Sequence, residues 1–154
     1  MLKKTLVVVD MQPCFEASND PNTILAVTNE IMVAKQNNDA IIMVEYDSSG
    51  RSHCGFDAIL KDYYYKSKIT KKNDDGSKEI IRALKRRKFP ARILRVCGVN
   101  TDCCVFDTVL GLLNGLENTK IELVKKACNT DDSSFSWKSS PFNHLEFDSN
   151  FKIV

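Results

Sequence analysis

The fold is decided by one stretch of sequence, ILRVCGVNTDCCV at residues 93–105. It begins as an apolar, β-branched run, reaches Gly98, turns within a few residues and continues as an amphipathic segment from about Thr101. Cys104 therefore falls in the first turn of a predicted helix, where unpaired backbone N–H groups and the helix dipole favour an anion. We interpret Cys104 as a candidate thiolate nucleophile. The alternative is a buried structural cysteine, since free cysteines are among the most buried residues.

On both sides of this segment, apolar runs and helical periodicities alternate along the chain. Strands that alternate with helices indicate βαβ units, so we predict an α/β fold with a doubly wound, mostly parallel sheet of five to six strands flanked by helices. The predicted strands are residues 6–9, 40–44, 63–70, 93–99, 121–124 and 151–154, and the predicted helices are residues 22–36, 56–60, 77–89 and 102–116.

Composition narrows the class of protein. With 154 residues, 43% of them hydrophobic, we expect a single domain over residues 1–154. A net charge of +2 gives no reason to expect a nucleic-acid or membrane partner. The sequence also contains no glycine-rich phosphate loop, so it does not indicate a nucleotide ligand. The six cysteines form no C-x-x-C motif and no secretory signal precedes them, so we expect reduced thiols and a cytoplasmic protein.

Chemically useful residues follow several of the predicted strands. In a parallel sheet the carboxyl ends of the strands share one edge, and ligands bind there. Asp10 follows the first strand, Lys71 or Lys72 follows the third, and residues 98–104 follow the fourth. We therefore expect an acid, an amine and a thiol to meet around one cavity.

An acid, an amine and a thiol around one cavity are suited to cleave a small amide. Asp10 would take the proton of the Cys104 thiol and return it to the leaving amine, and a neighbouring lysine would hold Asp10 in place. Backbone N–H groups of Asn100 and Cys104 would face the developing oxyanion. Taken alone, Asp10 is also consistent with a residue that only caps a turn at a strand end.

Three segments then resemble the isochorismatase-like cysteine hydrolases. DMQPCF at residues 10–15 is similar to that family's D-x-Q-x-x-F opening, and GVNTDCCV at residues 98–105 is similar to its G-V-x-T-x-x-C-V nucleophile segment. KKNDDGS at residues 71–77 is a looser match to the turn that carries the family's lysine. The resemblance spans residues 4 to about 125, and the tail matches poorly.

The resemblance implies a Rossmann-like sheet and a catalytic triad of Asp10, Lys71 and Cys104, with Lys72 as the rival lysine. It implies a hydrolase that acts on a small C–N substrate, such as a carboxamide or ureido compound, through a thioester on Cys104. A second hypothesis is a non-catalytic or regulatory member of the same fold that binds a small ligand or a protein partner.

The same resemblance implies further parts of the site. It predicts a cis peptide bond between Val99 and Asn100, which would aim the Asn100 N–H at the oxyanion, and substrate contacts from Gln12 and Phe15. Cys103 is assigned to packing, because one residue along an α-helix is a rotation of about 100°.

A metal cofactor is not expected. Nicotinamidases of this family bind a metal through D-x-H, and here Asp47 is followed by Ser49 where the histidine would stand. Asp47 and His53 are weak metal candidates, because two protein ligands are fewer than zinc sites normally use.

The expected partners are a small-molecule substrate and further copies of the chain, as a homo-oligomer. Three aromatic residues in the tail, Phe135, Trp137 and Phe142, are candidates for a pocket wall, for an oligomer interface or for packing against the sheet.

Overall fold

A six-stranded sheet lies at the centre of the computed structural model, which describes residues 3–154. Every pair of neighbouring strands is parallel, and helices connect most of them. The strands are β1 (Thr5–Val9), β2 (Ala40–Tyr46), β3 (Lys66–Lys71), β4 (Ile93–Val99), β5 (Lys120–Asn129) and β6 (Phe151–Ile153), and the helices are α1 (Pro21–Gln36), α2 (Cys54–Leu60), α3 (Ser77–Arg87) and α4 (Phe106–Gly115).

The strand order is β3-β2-β1-β4-β5-β6. The chain therefore winds outward in one direction from β1 through β3 and in the other from β4 through β6. This is the doubly wound order, and its switch point lies between β1 and β4. The prediction of a doubly wound α/β sheet is confirmed, and the sheet is parallel throughout.

Both faces of the sheet are covered, which explains the continuous apolar runs of β1 and β2. On one face, Val7 and Val9 pack in a cluster that contains the apolar residues of α3 and α4. On the other face, Leu6 and Val8 pack with those of α1 and α2. Alternate residues of β1 thus enter opposite core layers, as the two-residue period of a strand requires.

Most predicted elements differ from the structure by up to three residues at their ends, and two differ more. The helix predicted at 102–116 begins instead as a π-helical turn, Thr101–Val105, and only then continues as α4. The strand predicted at 121–124 extends to Asn129, because β5 passes through a register shift opposite β4 and resumes pairing. Exposed Lys125 and Lys126 lie at that irregularity and concealed the continuation.

The tail folds back onto the core as two short 3₁₀ turns, Trp137–Ser139 and Pro141–Leu145. Phe142 is fully buried, and its ring stacks on Phe151 of β6 at 5.9 Å. Three roles were considered for the aromatic residues of the tail, and Phe142 packs against the sheet. No helix in the described part of the chain combines the length and the apolar composition that a membrane span requires.

Candidate active site

The site begins where β1 ends. Asp10 adopts a left-handed backbone conformation (φ 55°), which aspartate tolerates better than most residues, and its N–H donates to Val44 O at 2.9 Å. The turn places the Asp10 side chain at the carboxyl edge of the sheet, where it is fully buried.

Lys71, the last residue of β3, lies across the end of β2 and reaches Asp10. Its Nζ is 3.0 Å from Asp10 Oδ2, and both side chains have no exposed surface. The same ammonium donates to Asp74 O at 2.9 Å and lies 4.6 Å from the centre of the Tyr46 ring. Lys72 is exposed, so the structure resolves the choice between the two lysines in favour of Lys71 as the partner of Asp10.

The Asp10 carboxyl is set up to receive a proton. Burial raises its pKa above 3.8, and Lys71 offsets part of that effect by its charge. Asp10 Oδ2 faces the Lys71 ammonium, and among the described residues neither Asp10 oxygen accepts a hydrogen bond of regular geometry.

Gly98 brings the end of β4 against the end of β1. A Cβ at this position would lie 2.0 Å from Val9 O, and φ is 132°, so only glycine fits. Asn100 then takes a left-handed conformation (φ 59°), and its carbonyl accepts the N–H groups of Cys103 and Val105, each at 3.1 Å.

The predicted cis peptide bond between Val99 and Asn100 is wrong. Residues 3–154 contain no cis peptide bond. The reversal is made instead by the positive φ angles of Gly98 and Asn100, which these two residue types accommodate at low cost.

The π-helical turn changes the directions of the two adjacent thiols. Cys103 Sγ donates to Asp74 Oδ2 at 3.3 Å, and Cys104 Sγ donates to Asp74 Oδ1 at 3.6 Å. Cys103 packs against the hydrophobic core, as expected, and its sulfur also contacts the carboxylate that Cys104 contacts. The packing assignment is therefore confirmed but incomplete.

Burial raises the pKa of the Cys104 thiol above the usual range, the Asp10 carboxylate raises it further, and Lys71 opposes both effects without cancelling them. Only 4% of Cys104 is exposed, so the cost of desolvation opposes the thiolate that its helix position was expected to favour. The thiol needs a base at the moment of attack.

An open cavity of about 360 Å³ lies above Cys104. One wall is aromatic: the rings of Phe15 and Tyr46 meet edge to face at 6.4 Å. The lining also contains the carboxylates of Asp74 and Asp102, and within the described residues it contains no lysine, arginine or histidine. Phe15 is therefore placed where a substrate contact was expected.

Asn100 also lines this cavity. Its side-chain Nδ2 lies 4.0 Å from the sulfur of Cys104. The two residues expected to provide the oxyanion donors are thus adjacent at the cavity wall, and the role of their backbone N–H groups stays a prediction.

Solved structures share this architecture over most of the chain. The nicotinamidase from Staphylococcus aureus aligns with a TM-score of 0.76 at 20% identity, covering 100% of both chains. An isochorismatase from Pseudomonas putida aligns with a TM-score of 0.74 at 16% identity, covering 98% of this chain and 87% of its own. The chain has the isochorismatase-like fold.

A MAR1 ribonuclease from Caenorhabditis elegans is also similar, with a TM-score of 0.67 at 19% identity over 83% of this chain and 65% of its own. No family model matches the sequence, and no curated protein matches it. At these identities the likeness establishes the isochorismatase-like fold, and the chemistry has to be argued from the residues of this chain.

Gln12 has a different place in this isochorismatase-like fold from the one expected. It is fully buried, and its amide accepts Tyr46 N–H at 2.6 Å and donates to the carbonyls of Tyr46 and Gly50 at 3.0 and 2.7 Å. The predicted substrate contact of Gln12 is wrong, because its amide holds the loop after β2 and does not line the cavity.

The metal candidates do not form a site. Asp47 is exposed, and the ring Nε2 of His53 is already paired with Ser18, at 3.0 Å from its carbonyl and 3.2 Å from its hydroxyl. Within residues 3–154, neither belongs to a group of three metal-ligating side chains. The residues present therefore do not fit the D-x-H metal arrangement, and we assign it no part in the chemistry.

Sequence reasoning missed Asp74. Its carboxylate accepts hydrogen bonds from both thiols. Its backbone carbonyl accepts hydrogen bonds from Lys71 Nζ and from the Thr108 hydroxyl, the latter at 3.4 Å. The sequence NDDG indicates only a turn, and no periodicity marks one of its aspartates as pointing inward. The available signal was its position directly after the strand that supplies the lysine.

Proposed function

We propose that the chain is a cysteine hydrolase that cleaves the C–N bond of a small amide or ureido substrate through a thioester on Cys104. One observation carries the proposal: the fully buried ion pair of Asp10 and Lys71 lies beside the thiol at the wall of an open cavity. Burying two charges is costly, and such pairs with shifted pKa values are concentrated at functional sites.

In the first step the thiol loses its proton to Asp10 as the sulfur attacks the substrate carbonyl carbon. Asp10 is suited to this role because burial raises its pKa, while the charge of Lys71 favours its ionised form. Lys71 is a positioning residue, since it acts through Asp10. The carbonyl π electrons move to oxygen, where the N–H groups of Asn100 and Cys104 would stabilise the negative charge.

Collapse of this intermediate breaks the C–N bond. Asp10 returns its proton to the leaving nitrogen, and ammonia or an amine departs while the acyl group stays on sulfur. Water then loses a proton to Asp10 and attacks the thioester, and the Cys104 thiolate leaves and takes that proton back. Carboxylic acid and amine are the products, and the enzyme returns to its starting state.

The cavity favours a neutral or cationic substrate. Asp74 and Asp102 line it and would repel a carboxylate or a phosphate, while the rings of Phe15 and Tyr46 suit a flat group. Recognition of RNA relies on lysine and arginine at the phosphates, and the lining lacks both within the described residues. We therefore favour small amides over the ribonuclease activity of the similar worm protein.

The direct test is a screen of carboxamides and ureides for ammonia release. A hit is repeated with Cys104→Ala, which should lose activity by a factor on the order of 10⁴ or more. Cys54→Ser is the matched control, because Cys54 is an exposed thiol at the start of α2. Equal turnover by Cys104→Ala and the control would remove Cys104 from the mechanism.

Absence of turnover across the screen, combined with saturable binding of the same compounds, would favour the alternative of a ligand-binding scaffold. Differential melting with each compound separates these outcomes, because a ligand that binds only the folded state raises Tm without being consumed.

A further inference from the structure

Two thiols and a carboxylate meet in the cavity in an arrangement that the hydrolytic mechanism does not require. The ligand atoms of Asp74, Cys103 and Cys104 all lie within 4.8 Å of one another. Hydrolysis uses only one of these sulfurs, and Cys103 has no part in the steps above. It is half-buried and lines the cavity beside the nucleophile.

The distances suit a small tetrahedral cation. Zinc binds thiolates at about 2.3 Å and carboxylate oxygens at about 2.0–2.2 Å, so two sulfurs on one ion lie about 3.8 Å apart. The two thiols already contact opposite oxygens of one carboxylate, at 3.3 and 3.6 Å. The two sulfurs are at most 4.8 Å apart, so an ion that replaced the two thiol protons would draw them together by about 1 Å or less.

The donor set selects the kind of ion. Thiolate ligands favour zinc and other thiophilic cations, whereas magnesium and calcium prefer oxygen ligands. Three protein ligands also leave a fourth position, which here faces the open cavity and would hold water.

We propose that Asp74, Cys103 and Cys104 form a binding site for a thiophilic divalent cation of the zinc class, and that occupation of this site blocks the nucleophile. Binding is a simple exchange: one Zn²⁺ enters, two thiol protons leave to solvent, two Zn–S bonds and one Zn–O bond form, and nothing is oxidised. The binding itself is independent of the proposed hydrolase function, and its inhibitory effect rests on that function.

Binding is tested with Co²⁺ as a spectroscopic probe for the zinc site. Thiolate ligation gives Co²⁺ an intense charge-transfer absorption in the near ultraviolet, and tetrahedral geometry gives d–d bands in the visible. The 154-residue chain should develop both signals at one Co²⁺ per chain, and Zn²⁺ should abolish them by displacement. A spectrum of hexa-aquo cobalt at saturating Co²⁺ would overturn the proposal.

Variants locate the site. Cys103→Ser and Asp74→Asn should each weaken Zn²⁺ binding, measured by competition with Co²⁺, by at least about tenfold, since each removes one ligand. Cys54→Ser is the matched control and should bind as the wild type does, because Cys54 lies outside the cluster. Equal affinity in Cys103→Ser and Cys54→Ser would overturn the assignment.

A measurement on the wild type covers the case in which a variant misfolds. Peptide mapping after alkylation should show that Zn²⁺ protects Cys103 and Cys104, while the exposed Cys14 and Cys54 react at unchanged rates. Protection of all four thiols alike, or of none, would contradict a specific site.

The inhibitory effect is read separately, once a substrate is known. Zn²⁺ should suppress ammonia release over the same concentration range in which it displaces Co²⁺, and a chelator should restore it. Cobalt binding without any turnover would leave the site intact and remove the hydrolase. Turnover that Zn²⁺ leaves unchanged or accelerates, despite binding, would overturn the inhibitory role.

Discussion

Ion pairs at the carboxyl ends of the strands and in the amino-terminal half of the sheet have opposite effects on the pKa values of their carboxyl groups. At the carboxyl edge, Asp10 and Lys71 form a single pair with no exposed surface, and burial raises the pKa of the Asp10 carboxyl. Water would stabilise the ionised Asp10 carboxylate better than this buried site does, so burial of the pair lowers the stability of the folded protein.

In the amino-terminal half of the sheet, Arg95 of β4 bridges two carboxylates. It lies 2.8 Å from Glu30 and 3.0 Å from Glu122, and Lys4 and Lys152 contact Glu122 as well. Burial would raise the pKa of Glu122, but hydrogen bonds from Lys152 and Arg95 lower it overall. Here the folded state favours the charged form, so this network contributes to stability.

The contrast separates structural from functional charge. Both clusters join strands that are distant in sequence. Arg95, Glu30 and Lys4 line a cavity of their own, but the thiol near them, Cys97, is fully buried. The Asp10–Lys71 pair instead acts on Cys104, a thiol that lines an open cavity. A raised carboxyl pKa next to a nucleophile indicates a proton acceptor, whereas a lowered carboxyl pKa among several cations indicates ion pairs that stabilise the fold.

Among the variants that compare the two charge clusters, Lys71→Met should have the largest effect. It leaves the Asp10 carboxyl buried without its cation, which raises the pKa of that carboxyl further and disfavours the carboxylate that acts as the base. We expect a loss of kcat/KM of about 10²–10⁴-fold and a loss of unfolding free energy of about 3–5 kcal/mol. Steady-state kinetics and urea unfolding measure the two effects.

The double variant Asp10→Asn/Lys71→Met separates the two losses. It should regain much of the stability, because no buried charge remains, and none of the activity. Recovery of turnover in this variant would mean that the pair serves the fold alone.

The second prediction is the pH profile of the wild type. Activity requires ionised Asp10, whose pKa is raised, so kcat/KM should fall about tenfold per pH unit below that pKa, at a higher pH than an ordinary aspartate would give. In Lys71→Met the acid limb should move to still higher pH. An acid limb that is identical in both proteins would contradict the role of Lys71 as the residue that keeps Asp10 ionised.

Arg95→Met tests the other cluster and should affect stability alone. Lys4 and Lys152 still face Glu122, and the Arg95 side chain is 27% exposed, so we expect a loss of about 1–2 kcal/mol with kcat unchanged. Because the pKa of Glu122 is lowered in the folded state, this contribution is complete above the unfolded pKa of glutamate and fades as the pH falls through the folded pKa. Urea unfolding at neutral and acidic pH checks both points.

Lys72→Ala should have the smallest effect. Lys72 is exposed, one residue beyond the lysine that pairs with Asp10, and surface substitutions usually change stability by about 0.5 kcal/mol or less. Kinetics and melting should match the wild type. A loss of turnover comparable to that of Lys71→Met would show that the wrong lysine has been assigned.

Much of this arrangement could be predicted from the sequence because it follows from topology. Buried apolar runs mark the strands, and parallel strands bring their carboxyl ends together, so Asp10, Lys71 and Cys104 meet wherever such a sheet forms.

The details of the turns could not be predicted in the same way. Cys103 lines the cavity and contacts Asp74, and Asp74 is positioned by the contacts of its carbonyl with Thr108 and Lys71. Gln12 bonds the loop after β2 for a similar reason. These outcomes depend on contacts between distant segments, which no local pattern of residue types encodes.

The central claim, that Asp10 activates the Cys104 sulfur to carry the acyl group, is tested most directly by acid quenching during turnover of an amide found in the screen. Mass spectrometry of the quenched protein should give the mass of one acyl group, lost on treatment with hydroxylamine as a thioester is and mapped to the peptide that contains Cys104. Cys104→Ala should give no adduct, and Asp10→Asn should form it at least about 10²-fold more slowly. Steady turnover with the acyl group on another residue, or an adduct that forms equally fast without the Asp10 carboxylate, would contradict the account.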